Sequence, residues 1–132
     1  MAYEFSNYSV KVTLVAGESL AAKQYHFVKI DNGTGKVVAV SGATDRPIGV
    51  VQNNPASGEE AEVLISGGTK IKAGGSASAG QALFASASAT GVTLAFGTTA
   101  SAAFAAGTFI TAAAAGEITT AVIDCAAIGR GL

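Results

Sequence analysis

A chain of 132 residues has room for one domain, and a domain of this size buries enough surface to fold without disulfides or a metal. Eight Lys and Arg against nine Asp and Glu leave a net charge of −1 with no basic run, which excludes direct binding to a nucleic-acid backbone. Hydrophobic residues make up 49%, but Ala supplies much of that, and a buried methyl returns less than the roughly 1.5–3 kcal/mol of a buried Val, Leu, Ile or Phe, so a thin core is expected.

The opening Met1-Ala2-Tyr3-Glu4 lacks a basic stretch followed by an apolar core, so no secretory signal is expected. Residues 1–9 read as an extended arm carrying Tyr3, Phe5 and Tyr8. These rings are the candidate partner-contact residues, because aromatic side chains bury much area at small entropic cost. Two placements are open to the arm, against a partner or folded back on its own domain, and in both it is able to add a strand to a sheet edge.

From residue 10 the pattern is β. Val10, Val12 and Leu14 alternate with Lys11 and Thr13, the period of a half-buried strand. His26 to Ile30 and Lys36 to Val40 bracket Asp31-Asn32-Gly33-Thr34-Gly35, whose glycines supply the positive φ of a tight hairpin. Ile48 to Gln52 follows Pro47, which suits a strand's first residue. A loop through Asn53-Asn54-Pro55 and Ser57-Gly58 leads into Glu60 to Ser66, with Ala61, Val63 and Ile65 on one face and Glu60, Glu62 and Leu64 on the other. Thr69 to Ala73, Gln81 to Ser86, Val92 to Phe96, Thr108 to Ala112 and Ile118 to Cys125 complete ten short strands. Such a series predicts an all-β fold, a compact β-barrel or β-sandwich. Thr98 to Ala106 is left open between a short helix, which its alanines favour, and a loop. Ala102 to Ala115 is too short and too weakly apolar for a membrane span, so no membrane association is expected.

The strands fall into two similar units. Gly49-Val50-Val51, Ala56-Ser57-Gly58-Glu59 and Val63-Leu64-Ile65 match Gly107-Thr108-Phe109, Ala114-Ala115-Gly116-Glu117 and Ala121-Val122-Ile123 in one register, about 58 residues apart. Upstream, Ala16-Gly17-Glu18-Ser19, Ala22, Gln24 and Phe27 align with Ala73-Gly74-Gly75-Ser76, Ala79, Gln81 and Phe84, and Thr34-Gly35 with Thr90-Gly91. The expected organisation is a single domain over 1–132: the arm 1–9, unit one 10–66, unit two 67–125 and a tail 126–132. Between Lys72 and Glu117 the chain carries no Asp, Glu, Lys or Arg, which points either to a surface covered by another protein or to a neutral Ser/Thr/Ala surface that tolerates the lack.

Catalytic chemistry finds few materials. His26 is the one histidine and sits in a strand between Tyr25 and Phe27. Cys125 is the one cysteine, in an apolar run that suits a buried inert thiol. Zinc would need several such ligands at close spacing. Glu60 and Glu62 share a strand face beside Glu59, where two carboxylates about 7 Å apart hold a cation, act as an acid–base pair or are simply solvated. Gly33-Thr34-Gly35-Lys36 fails as a phosphate loop, since Val37 stands where a Ser or Thr is required and the flanks are strands. The sequons Asn7-Tyr8-Ser9 and Asn32-Gly33-Thr34 mark turns. The expectation is no enzyme activity, no cofactor and no metal.

Arg46-Pro47-Ile48-Gly49-Val50-Val51, the Ala56-Ser57-Gly58-Glu59 turn, Val63-Leu64-Ile65-Ser66 and Ala73-Gly74-Gly75-Ser76 with Ala79-Gly80-Gln81-Ala82-Leu83 follow one another in an order that resembles the capsid decoration, or cement, proteins of tailed bacteriophages. The resemblance spans Val10 to Asp124. It implies a structural virion protein, assembled in the host cell cytoplasm, that sits on the outer capsid surface as a homo-oligomer, a trimer by preference. Its partner would be the major capsid protein, whose neighbouring subunits it bridges. The Ala-rich second unit departs from the family's usual mix of charged and branched residues. A second reading from the residues is a carbohydrate- or receptor-binding β module on a fibre or cell surface.

Overall fold

A computed structural model of the chain describes residues 9–94 and 103–126. Among them the chain forms nine strands and no helix: β1 (Val10–Val15), β2 (Phe27–Ile30), β3 (Val37–Ala39), β4 (Gly49–Val51), β5 (Glu60–Lys72), β6 (Ala82–Ala85), β7 (Gly91–Val92), β8 (Ala105–Phe109) and β9 (Ile118–Asp124). They make one sheet in the order β3-β2-β4-β5-β9-β8-β6-β7, with β1 also paired to β5. Every named strand pair is antiparallel. The sheet curls, and the expectation of an all-β, barrel-like fold holds.

Two of the expected strands are one. Glu60 to Ser66 and Thr69 to Ala73 join into the 13-residue β5, so the expected boundary between Ser66 and Gly67 lies inside a strand. The N-terminal part of β5 pairs with β1 and β4, and its C-terminal part pairs with β9. Gly67 passes through with φ of +131°, a backbone state that a side chain would resist. The two parts therefore serve two similar halves of the sheet. In the first half, Ala16 bridges to Val37 in parallel and the Gly17 N–H donates to the Val37 carbonyl at 2.7 Å. In the second, Ala73 bridges to Gly91 and the Gly74 N–H donates to the Gly91 carbonyl at 2.8 Å. Each half thus returns toward its own first strand and encloses an interior.

The hydrogen bonds correspond in detail. Val50↔Leu64 and Val51↔Val63 across β4 and β5 have as counterparts Thr108↔Val122 and Phe109↔Ala121 across β8 and β9, 58 residues on. The turns before β5 and β9 match as well. Glu59 N–H donates to the Ala56 carbonyl at 3.0 Å, and Gly58 holds φ of +85°, the type II turn that requires glycine at its third residue. Glu117 N–H donates to Ala114 at 3.2 Å, with Gly116 at φ +86°.

Upstream the correspondence differs from the sequence alignment. Phe27 lies opposite Val50, and the residue opposite Thr108 is Ala82, so Phe27 corresponds to Ala82 and not to Phe84. Tyr25 N–H donates to Val51 and Gly80 N–H to Phe109, each at 2.8 Å, which pairs Tyr25 with Gly80. Both adopt positive φ, 64° and 86°. The Thr34-Gly35 match with Thr90-Gly91 also fails: Gly91 lies in β7, and the counterpart of the Gly35 turn residue (φ 70°) is Ala89 (φ 66°).

The interior of the first half gathers Ala16, Leu20, Val28, Val37, Val51, Ala61 and Val63. A larger cluster combines the interior of the second half, including Ile71, Leu83, Phe109 and Ala121, with Phe27, Val40, Val50 and Leu64 of the first. Leu64 is buried at 2% exposure although it shares a strand face with Glu60 and Glu62, because the second half covers that end of β5. In the segment expected to be helix or loop, 105–106 belong to β8, whereas 98–102 lie outside the described residues.

Candidate functional site

The arm residues Tyr3, Phe5 and Tyr8, the candidate partner contacts, lie outside the described residues. The ionisable candidates are placed separately. His26 is half-buried with Nδ1 3.0 Å from the Gln24 carbonyl, and burial holds its pKa below the ordinary value. Glu59 accepts the Ala56 N–H at 2.9 Å through Oε1 and so closes its own turn, as Glu117 does from Ala114 at the counterpart position. Glu62 pairs with Lys11 Nζ at 3.1 Å, with both side chains about half exposed, an arrangement worth little in water. Glu60 is exposed. Among the described residues no three His, Cys, Asp or Glu side chains gather as metal ligands would.

Cys125 is buried, and desolvation pushes its pKa up to about 12, which keeps the thiol protonated at neutral pH. Gly33-Thr34-Gly35-Lys36 forms the hairpin turn, where Thr34 Oγ1 donates to Asp31 Oδ2 at 2.7 Å. Asp45 accepts from Lys29 Nζ at 2.7 Å and from the Ser41 and Gly42 N–H groups, and the lysine chiefly holds its carboxyl below the usual range. Thr34 and Asp45 thus each fix a turn or loop, and Cys125 packs in the core.

What remains is surface. Among the described residues, the large hydrophobic side chains that stay exposed are Val10, Val15, Ile30, Ile118 and Val122. Ile30 borders a depression of about 330 Å³ lined also by Arg46, Pro47, Ile48, Cys125 and Ala126. The uncharged span supplies β6, β7, β8 and their joins, and it presents Ser76, Ser78, Gln81, Ser88, Thr108 and Ala112 to solvent. Sequence reasoning found this neutral span. It missed the Ile30 depression, which arises where the end of β9 approaches the end of β2 and the segment leading into β4, a proximity that no local pattern reveals.

No family model matches the chain, and no curated protein matches it. Among solved structures it is similar to the crystal structure of the head fibre gp8.5 N base of bacteriophage phi29, with a TM-score of 0.65 at 19% identity, covering 94% of this chain and 98% of that one. At that identity the likeness is one of fold, and it extends over nearly the whole length of both chains.

Proposed function

We propose that this chain is a non-enzymatic structural protein of a tailed-phage virion, one that binds the outer surface of the capsid and bridges neighbouring subunits of the major capsid protein. The observation that carries the reading is the near end-to-end likeness of fold to a component of a phage head fibre. The long uncharged span agrees with it, because a surface without charged groups costs less to desolvate when covered than a charged one.

The mechanism is contact. A homo-oligomer, with a trimer favoured, engages several shell subunits at once, and the raised effective concentration turns individually small interfaces into a durable clamp. Because the clamp binds the assembled shell and not free subunits, it stabilises the shell by mass action. Co-sedimentation of the purified protein with undecorated expanded capsids of its own phage is the expected result. Protein left wholly in the supernatant at saturating capsid would refute the reading.

The neighbour's membership of a fibre favours a second reading, a carbohydrate- or receptor-binding module of an appendage. Binding on a glycan array together with no capsid binding would select it.

A further inference from the structure

Lys23, Lys70 and Lys72 gather with His26 around Tyr25, where the segment entering β2 meets the end of β5. Lys70 Nζ stands 5.7 Å from the centre of the Tyr25 ring. Lys72 N–H donates to the Tyr25 carbonyl at 3.0 Å, and His26 N–H donates to the Lys23 carbonyl at 3.0 Å. Burial chiefly lowers the His26 pKa, and the charges on Lys23 and Lys72 lower it further. Among the described residues the ion pairs are Lys11 with Glu62 and Lys29 with Asp45, and none is made by these three lysines. Three of the chain's eight basic side chains therefore share one place without a counter-charge. Like charges held together repel, and an anion seated among them relieves the repulsion.

The fold does not demand these charges, because the sheet repeats the same backbone without them. Gln81 N–H donates to the Ser78 carbonyl as His26 does to that of Lys23, so Ser78, Gly80 and Gln81 stand where Lys23, Tyr25 and His26 do. Lys70 and Lys72, opposite Thr120 and Ile118, correspond to Thr13 and Val15, opposite Glu62 and Glu60. Each counterpart is uncharged. Tyr25 also holds φ of 64°, a state that glycine takes freely at Gly80 and that a tyrosine resists. Strained backbone of this kind collects at sites of function. Here it sets the ring against the Lys70 ammonium, and the exposed lysine is held beside Tyr25.

We propose that Lys23, Lys70 and Lys72 form a docking site for a carboxylate-rich segment of a protein partner. An ammonium group has three donors and takes carboxylates from a range of directions. A phosphate backbone suits the site less, because such binding draws on roughly 6–10 basic contacts along a track. The proposal deepens the shell-binding reading and rests on it for the partner, an acidic stretch of the capsid surface.

Proton NMR of the His26 imidazole, the one histidine of the chain, reads the site. Bound carboxylates favour its charged form, so poly-L-glutamate is expected to raise the pH midpoint of its titration by about 0.5 or more. The triple variant Lys23→Gln, Lys70→Gln, Lys72→Gln is expected to lose that response, whereas Lys36→Gln, in the β2–β3 turn, keeps it. Single-stranded DNA and polygalacturonate at the same charge concentration are expected to move the midpoint less. In co-sedimentation with capsids the triple variant is expected to bind about tenfold more weakly than the wild type. A wild type indifferent to polyglutamate overturns the proposal, as does an equal or larger response to the DNA or the polysaccharide. A triple variant that binds capsids as tightly as the wild type overturns it too, and leaves the shell-binding reading intact. A wild type that ignores capsids yet answers polyglutamate refutes the shell-binding reading and upholds the site.

Discussion

Gly49 and Gly107 hold counterpart positions in β4 and β8, and each lacks a side chain for the same reason. A Cβ on Gly49 would meet the Leu64 carbonyl oxygen at 2.2 Å, and one on Gly107 would meet the Val122 carbonyl oxygen at 2.0 Å. Both obstacles are backbone of the neighbouring strand, which cannot rotate away. Gly116 is glycine for a different reason: its φ is +86° and nothing lies within 4 Å of an added Cβ. The two substitutions therefore separate steric exclusion from backbone strain. Gly116→Ala is expected to cost about 1–2 kcal/mol, the penalty of a side chain in the left-handed region. Gly107→Ala is expected to cost about 3 kcal/mol or more, because β8 and β9 must part to admit the methyl. Denaturant midpoints at constant slope measure both, and equal losses would sink the steric account.

At the scale of the strand, Leu64 and Val122 hold the same place in β5 and β9 but meet different surroundings. Leu64→Ala removes a fully buried side chain from the cluster shared by the two halves, and about 2–5 kcal/mol of stability is expected to go with it. Val122→Ala in dilute solution is expected to cost under about 0.5 kcal/mol, since the side chain stands in water. Comparable losses in chemical denaturation would show that the second half does not cover Leu64. The same pair marks how far the sequence could be read. The turns before β5 and β9 were legible, because Gly58 and Gly116 answer to local geometry and the glutamates after them close the turn through their own carboxylates. The register of β2 against β6 was not. Phe27 and Phe84 invite alignment as aromatics, yet Tyr25 takes a left-handed conformation that its residue type gives no reason to expect, and pairing puts Ala82 in the place of Phe27. The burial of Leu64 was equally hidden, because alternation reports which face a residue shares and not what lies across from that face. Of the candidate surface, the missing charge was visible and the Ile30 depression was not.

Over the whole described molecule, the two halves share more than a seam. β5 hydrogen-bonds to β1 and β4 through one end and to β9 through the other, and Ser66 near its middle pairs with both Val10 and Asp124. Separating the halves would cut this strand and expose Phe27, Val50 and Leu64 together. Parted, the first half loses the cover over Phe27, Val50 and Leu64, and the second loses the side chains packed against its Ala85, Ala89 and Ala106. Folding is therefore expected to be all-or-none, although strand pairing in one half of the sheet resembles that in the other. In calorimetry this requires a single transition whose van't Hoff and calorimetric enthalpies agree. Leu64→Ala should lower that transition without splitting it, because the residue belongs to the contact on which both halves rely. Two resolved transitions, or a mutant that melts one set of strands while amide exchange in the other stays slow, would mean that the halves are independent units joined by a long strand.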